Sequence, residues 1–548
     1  MPATCSHKII TRHSPYPDRG TRSSQSEDPA IRPPPGRLST LLYHELPVLQ
    51  PDTLTPATPQ RATQVLPGAV PTGVPYPEPL SLTAANSSLT VLPLIPSSSS
   101  TSTLHFRAHR LFDNAHDFAI YNPQFHTSLP AGSGIKELLM HSIPDAFYNS
   151  SAHYPPPKCH LGTREEYITL ITDWAQGRSD RQEPILWMRG PFGVGKSAIA
   201  QSCAEALAPI DKLAAALFFS RSNGNRDDPR RVFTSIAYQI AAKCPPFREI
   251  INQHMMDDPA LAMTSLSTQF EDLLVNPLRS VDITGSGMDG RVVVIDGLDE
   301  CRGAVEQCEI IRVIAASVRK HTTPFRWFIT SRPKEPIIQT MNSIPVSAVL
   351  SSLELPVSRA IDHEILLYLT DEFKKIREDH GLPESWPSED VLALLVEHGA
   401  GLWIYVATMI RFIKDENSLG PEDQLHIVVE FVKEVSAKVG EDNPLAEMDY
   451  FYTLIMQQVP PKITTTLRRI LLLYFISSMG INDVACALFL SIEQLHHACT
   501  SIQSVMKVEN SIQFYHTSFL DFMKDSQRSK ELCIQSDFLI GWRWELLR

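Results

Sequence analysis

The sequence predicts an α/β protein: a parallel sheet wrapped by helices, then an all-α region, then a C-terminal group of helices closed by a hairpin. Three stretches carry that reading. Ile185–Ser197, ILWMRGPFGVGKS, is an apolar run that ends in a glycine-rich turn and a lysine. Arg291–Glu300, RVVVIDGLDE, runs through consecutive apolar residues into Asp296. Phe325–Ser331, FRWFITS, is a third such run and stops at Arg332. Runs of this kind suit parallel strands buried on both faces, with polar residues gathered at their carboxyl ends, where open α/β sheets bind ligands. The alternative is three core strands with incidental polar ends; their order and the shared position of those ends argue against it.

The first stretch has the spacing G-x-x-x-x-G-K-S, that of a Walker A loop. Gly190, Gly193 and Gly195 let the backbone turn with its N–H groups inward, Pro191, Phe192 and Val194 fill the loop, and Lys196 adds a fixed positive charge. Ser197 and Ala198 open the next helix, whose dipole favours phosphate, and the Ser197 hydroxyl suits a Mg²⁺ ligand. Asp296, at the end of the second run, is the Walker B acid that would hold Mg²⁺ through water. Asp299 and Glu300 stand where a carboxylate orients or deprotonates an attacking water, and Arg332 could reach a γ-phosphate. The fold class is therefore a P-loop NTPase.

GPFGVGKS, VVVIDGLDEC and FITSRP resemble the NACHT domain of the STAND class of P-loop NTPases, in its fungal, NOD-like receptor-like and nephrocystin-like N-terminal forms. The resemblance runs from about Phe106 to Met523. It implies a switch that binds ATP or ADP (or GTP) with Mg²⁺, hydrolyses slowly, and self-associates when open. FYHTSFLDFM, Phe514–Met523, resembles the motif in which a histidine reaches the β-phosphate of ADP; His516 is its match, the alternative being an ordinary packed histidine. Cys159–Arg164 resembles the loop that meets the adenine through backbone groups, or is a helix cap alone. Many relatives place a proline against the base in the region of Gly399–Ile413, where this chain has none.

Taken in order, residues 1–104 hold 18 of the chain's 43 prolines and end in SSSSTST, a composition expected to stay disordered. Proline-rich docking sites at Pro33–Pro35 or Pro75–Pro79 are the functional alternative. Arg12, Arg19 and Arg22 hint at a transit segment, but Asp18 and the prolines at 15 and 17 argue against its helix. Residues 105–162 form a family-associated segment and linker. Thr163 and Glu166 have capping-box spacing, which starts a helix at Thr163 and opens the nucleotide domain, 163–356. Helices are expected at Lys196–Ala208, Arg230–Cys244 and Ala260–Val275, strands at Leu213–Arg221 and Val349–Leu355, and a helix bearing both Cys301 and Cys308. A helical domain follows over 357–442: Ile361–Ile376, a helix capped by Ser388, and a core helix through Gly399–Ile413. Residues 443–525, helices followed by a strand pair at Val505–Tyr515, predict a winged helix; 526–548 is a tail.

The 548 residues carry a net charge of −12 and a pI near 5.9, and the helix before the hairpin has no lysine or arginine, which argues against nucleic acid as partner. Nine scattered cysteines without a C-x-x-C pair suggest a reducing, cytoplasmic setting. No apolar run is long enough to span a membrane, and no repeat array appears, so the activating protein partner is unknown. The alternative to a switch is a non-catalytic scaffold that keeps nucleotide as a structural ligand.

Overall fold

In the computed structural model, the described residues are 133–153, 157–222, 226–439, 444–477, 479–509, 511–535 and 537–546. The expectations for the proline-rich region and for the segment before residue 133 lie outside them. A short helix α1 (Ser133–Met140) precedes α2 (Glu165–Ala175) and the first strand β1 (Ile185–Arg189). Then come α3 (Lys196–Leu207), β2 (Leu213–Phe218), α4 (Val232–Lys243), α5 (Pro245–Asp257), α6 (Leu266–Phe270) and α7 (Asn276–Arg279). The sheet is completed by β3 (Val292–Asp296), α8 (Ala304–Lys320), β4 (Arg326–Ser331), α9 (Glu335–Met341), α10 (Ile344–Ser347) and β5 (Leu350–Glu354).

The strands are parallel and ordered β2-β3-β4-β1-β5. Thus β4, not β3, lies beside β1, so the loop, Arg332 and Asp296 leave the same edge of three adjacent strands. Side chains alternate across a strand. Leu186, Met188, Val292, Val294 and Phe328 therefore pack on one face with α2, α3 and the C-terminal helices, while Ile185, Trp187, Val293, Ile295, Trp327 and Ile329 pack on the other with α4, α5 and α8. Both faces are covered, which is why these strands read as unbroken apolar runs.

Beyond the sheet lie α11 (Asp362–His380), α12 (Glu389–Gly399), α13 (Trp403–Ile413), α14 (Pro421–Val439), α15 (Pro444–Gln457) and α16 (Pro461–Ser477). They are followed by α17 (Ile481–Ala487), α18 (Ile492–Thr500), the antiparallel pair β6 (Met506–Val508) and β7 (Ile512–Phe514), and α19 (Thr517–Lys524), α20 (Ser526–Ser529) and α21 (Asp537–Leu546). These helices share the apolar core of the first sheet face. Among the described residues no helix is long and apolar enough to cross a membrane.

Several local expectations are corrected. The Thr163 capping box does not form: the Thr163 hydroxyl donates to the His160 carbonyl (2.7 Å), and α2 starts after Arg164, whose φ of 58° is left-handed. A bond to its own preceding turn wins over the cap. Ser388 does cap α12, accepting from Val391 N. The core helix expected over Gly399–Ile413 begins later, at Trp403, because the end of α12 and a break at Ala400 (φ 43°) and Gly401 (φ 76°) precede it. The helix expected at Ala260–Val275 starts later, at Leu266 after a 3-10 turn (Pro259–Met263), and runs on through a π turn to Arg279, so that α6 and α7 are its two ends; α5 was not foreseen. Cys301 precedes α8 instead of lying on it; both it and Cys308 are buried.

Candidate functional site

The glycine-rich loop is shaped by what packs on it. Gly193 (φ 73°) and Gly195 (φ 96°) take left-handed conformations that side chains resist. A Cβ at Gly193 would lie 2.1 Å from Ile404 Cγ2, and Ile404 N donates to the Gly193 carbonyl (3.0 Å). The first turn of α13 thus sits directly on the loop. Gly195 caps α3, whose first turn, Lys196 to Ala198, has amides without helical partners. Lys196 Nζ donates to the carbonyls of Gly190 (2.9 Å) and Pro191 (2.6 Å). Burial pushes its ammonium down to about 8, against the pull of Asp299, Asp296 and Glu300. Val194 is buried, and its carbonyl accepts from Arg164 Nη2 (3.0 Å).

The acidic residues of the neighbouring strands have different surroundings. Asp296 is 2% exposed; burial raises its carboxyl above the ordinary range, and the hydroxyls of Thr330 (2.6 Å) and Ser197 donate to it. Thr330 Oγ1 also accepts from Gly297 N, which fixes the end of β3 against β4. Asp299, equally buried, accepts from Arg332 N (2.9 Å) and faces Arg332 Nε (3.5 Å) and Lys334 Nζ (3.4 Å). Glu300 accepts instead from Arg221 N (3.2 Å) and Thr517 Oγ1 (3.0 Å), with its carboxyl raised by burial and then by Asp299.

From the opposite side comes α19. Arg332 Nη1 meets Asp521 at 2.8 Å, and its Nη2 donates to Thr517 Oγ1 at 2.7 Å. Arg221 also meets Asp521, at 3.2 Å. Burial alone would lower the Arg332 guanidinium, but Asp299, Glu300 and Asp521 outweigh it and hold it above its ordinary value. Burial would likewise raise Asp521; Arg221 and Arg332 hold it below the usual carboxylate range. Tyr474 OH donates to the Ser222 carbonyl, a second tie between the two regions.

His516 is the N-cap of α19: Nδ1 accepts from Ser518 N (3.1 Å) and lies 2.6 Å from Ser518 Oγ, which in turn meets Tyr452 OH (2.7 Å). Burial, then Arg332 and Lys196, push the ring down to about 3, so it is neutral at pH 7. Its ring centroid is 6.2 Å from that of Phe192 in the loop.

The fold therefore brings the loop, Asp296, Asp299, Glu300, Arg332 and His516 to one edge. Arg332, which the sequence places where it could reach a γ-phosphate, is bound in this structure to Asp521 and Thr517. The chemistry of the groups present fits a nucleotide and its metal: a glycine cradle that a Cβ would fill, a lysine at the loop, and the hydroxyl and carboxylate oxygens of Ser197 and Asp296 that suit Mg²⁺. The sequence reading missed Thr517, Asp521, Arg221 and Thr330. Thr517 and Asp521 stand four apart on the helix beside His516, so they share one face of it.

Residues 164–332 match the family model described as Nephrocystin 3, N-terminal. No curated protein matches the chain. Solved structures with similarity include Cdc6p from Pyrobaculum aerophilum (14% identity, 70% of this chain and 97% of that one, TM-score 0.30). Another is domain III of the replication initiation protein DnaA from Thermotoga maritima (12% identity, 53% and 98%, TM-score 0.28). C. elegans PCH-2 gives 11% identity, 56% and 72%, with a TM-score of 0.28. Similarity this low bears on neither ligand nor partner. The matched segment begins at Arg164 before α2, ends at Arg332 after β4, and holds the glycine-rich loop and the buried aspartate strand between them. That segment is a P-loop NTPase domain, similar to the nephrocystin 3 N-terminal family.

Proposed function

We propose that this chain is a nucleotide-operated signalling switch of the NACHT/STAND type, with a winged-helix unit at its C-terminal end. It binds ATP or ADP with Mg²⁺, hydrolyses slowly to reset itself, and passes between a closed form and a self-associating one in the cytoplasm, answering to a protein partner. The observation that carries this reading is the bond between the site and α19: Arg332 to Asp521 and Thr517, and Glu300 to Thr517. When groups suited to hydrolysis are held by a separate unit, the position of that unit and the state of the site become one equilibrium.

The roles follow from position. Lys196 and the loop N–H groups between Gly190 and Ala198, Pro191 having none, hold phosphates; Ser197 and Asp296 hold Mg²⁺. Glu300, beside Asp299, orients water once Thr517 leaves it, and Arg332 turns to a γ-phosphate once Asp521 leaves it. His516, with Nδ1 occupied by Ser518 N, keeps its Nε2–H as a donor for a β-phosphate oxygen in the closed form. The engagement of Glu300 by Thr517 also suits a second reading, a nucleotide-bound scaffold without turnover. Measurable ATP hydrolysis excludes that scaffold.

The chain should be purified without added nucleotide, denatured, and the released small molecules identified by chromatography beside Lys196→Ala. The proposal expects near-stoichiometric ADP from the wild type and none from the variant. GDP would keep the mechanism and change the base. An empty, folded wild type contradicts it.

A further inference from the structure

A cavity of about 570 Å³ opens at the edge of the sheet opposite the glycine-rich loop, where Pro184, Gly290 and Pro324 lead into β1, β3 and β4. Its volume lies within the roughly 300–1,000 Å³ of small-molecule sites. β1 has five residues and β4 six, so at about 3.3 Å per residue the cavity is about 17–20 Å from the phosphate loop. One wall is apolar: Leu278, Val281, Val318 and Phe325 are buried residues that line it. Charged residues line the rest. Arg279 is paired with Glu271 (3.2 Å) and donates to Asn276 Oδ1 (2.8 Å), and Asp289 is exposed. Arg326 differs. Its Nη1 is buried without a hydrogen-bond partner, and among the described residues no carboxylate pairs with its guanidinium. Burial accordingly holds that guanidinium below its ordinary value, with no neighbouring charge to offset it. Trp174 fixes its place: Arg326 Cζ lies 5.5 Å from the centroid of the ring, and Trp174 Nε1 donates to the Glu183 carbonyl (2.9 Å), next to Pro184. The carbonyls at the rim are already engaged. His321 N and Thr322 N take the last carbonyls of α8, Ser280 N and Val281 N those of α7, and Gly290 N takes that of Pro324.

We propose that this cavity binds a small organic monocarboxylate with an apolar body, its acid group on Arg326 and its body against Leu278, Val281, Val318 and Phe325. A half-buried charge without a partner costs free energy, and an anion that pairs with it removes that cost. A carboxylate matches the planar fork of a guanidinium with two parallel hydrogen bonds. Arg279 is satisfied by Glu271, and Asp289 adds a negative charge to the lining. One positive charge is therefore left to offset, which suits a monoanion better than a phosphate dianion. The apolar wall offers no donor to a second acid or a sugar hydroxyl, and it gains by covering hydrocarbon. The cavity shares its strands with the nucleotide site and none of that site's residues, so this reading does not depend on the nucleotide one.

The test is calorimetric titration of the full chain with 2-naphthoate, octanoate and the neutral isostere 2-naphthamide, with and without saturating ADP and Mg²⁺. The carboxylates should bind at one site per chain, and 2-naphthamide should bind about ten- to hundredfold more weakly than 2-naphthoate, the effect of losing a charge-assisted hydrogen bond. Arg326→Gln, its folding checked by its urea midpoint, should lose affinity for 2-naphthoate by a similar factor and leave 2-naphthamide unchanged. Which of 2-naphthoate and octanoate binds more tightly tells an aromatic body from an aliphatic one, and either order supports the proposal. ADP should leave 2-naphthoate binding unchanged, because the two sites lie at opposite edges of the sheet. A chain that binds 2-naphthoate in this way but no ADP contradicts the nucleotide reading and supports this one. Equal affinity for 2-naphthoate and 2-naphthamide overturns the proposal on the wild type alone. So do an unchanged 2-naphthoate affinity in folded Arg326→Gln, displacement of 2-naphthoate by ADP, and binding of neither carboxylate.

Discussion

His516 shows how burial sets the state of a single residue. Its ring is held down to about 3, so the folded chain keeps it neutral while the unfolded chain takes up a proton near 6.5. The unfolded state therefore gains protons first as the pH drops, and stability falls between about 6.5 and 3. From pH 7.5 to 5 the loss from this group is about 2 kcal/mol. His516→Asn keeps a side-chain acceptor for Ser518 N and removes the titration. Its Tm should fall less than that of the wild type over the same range. Identical pH slopes would mean that His516 is not buried in the closed state.

At the scale of elements, α13 and the glycine-rich loop form one unit. Ile404 fills the space that a Gly193 side chain would need, and its amide holds the Gly193 carbonyl. Gly193→Ala should cost about 2–4 kcal/mol from the left-handed conformation and the overlap together, read as a lower midpoint in urea, and should abolish nucleotide binding. A variant that binds as well as the wild type would show that α13 does not rest on the loop. The strands were legible in the sequence because both sheet faces are covered, so β1, β3 and β4 read as apolar runs with polar ends. What could not be read was lateral order: periodicity says which residues are buried but not that β4 separates β1 from β3. The helix starts were legible where one side chain decides, as at Ser388, and not where two local bonds compete, as at Thr163. Contacts between distant segments, such as Glu300 with Thr517 or Arg164 with Glu364, left no local pattern to read.

At the scale of the whole molecule, the C-terminal helices close over the site through α19. Arg221 and Arg332 share Asp521, and Thr517 bridges Arg332 to Glu300, so five side chains from the sheet edge and α19 act as one lock. The ion pairs are partly buried, with Asp521 at 28% side-chain exposure, so removing its charge should cost about 1–3 kcal/mol of closure, roughly a 5- to 150-fold shift of the equilibrium. Asp521 lies outside the phosphate loop, and ADP has no γ-phosphate for the released Arg332 to meet, so its effect on bound ADP is expected to pass through closure.

That makes one rate the most direct test: dissociation of a fluorescent ADP, followed by stopped flow after mixing with excess unlabelled ADP, in the wild type and in Asp521→Asn. A lock that holds nucleotide in predicts faster release from the variant by about tenfold, with the bimolecular association rate to the opened protein no slower than in the wild type. Equal dissociation rates in two folded proteins would contradict the account, because α19 would then rest on the site without controlling it.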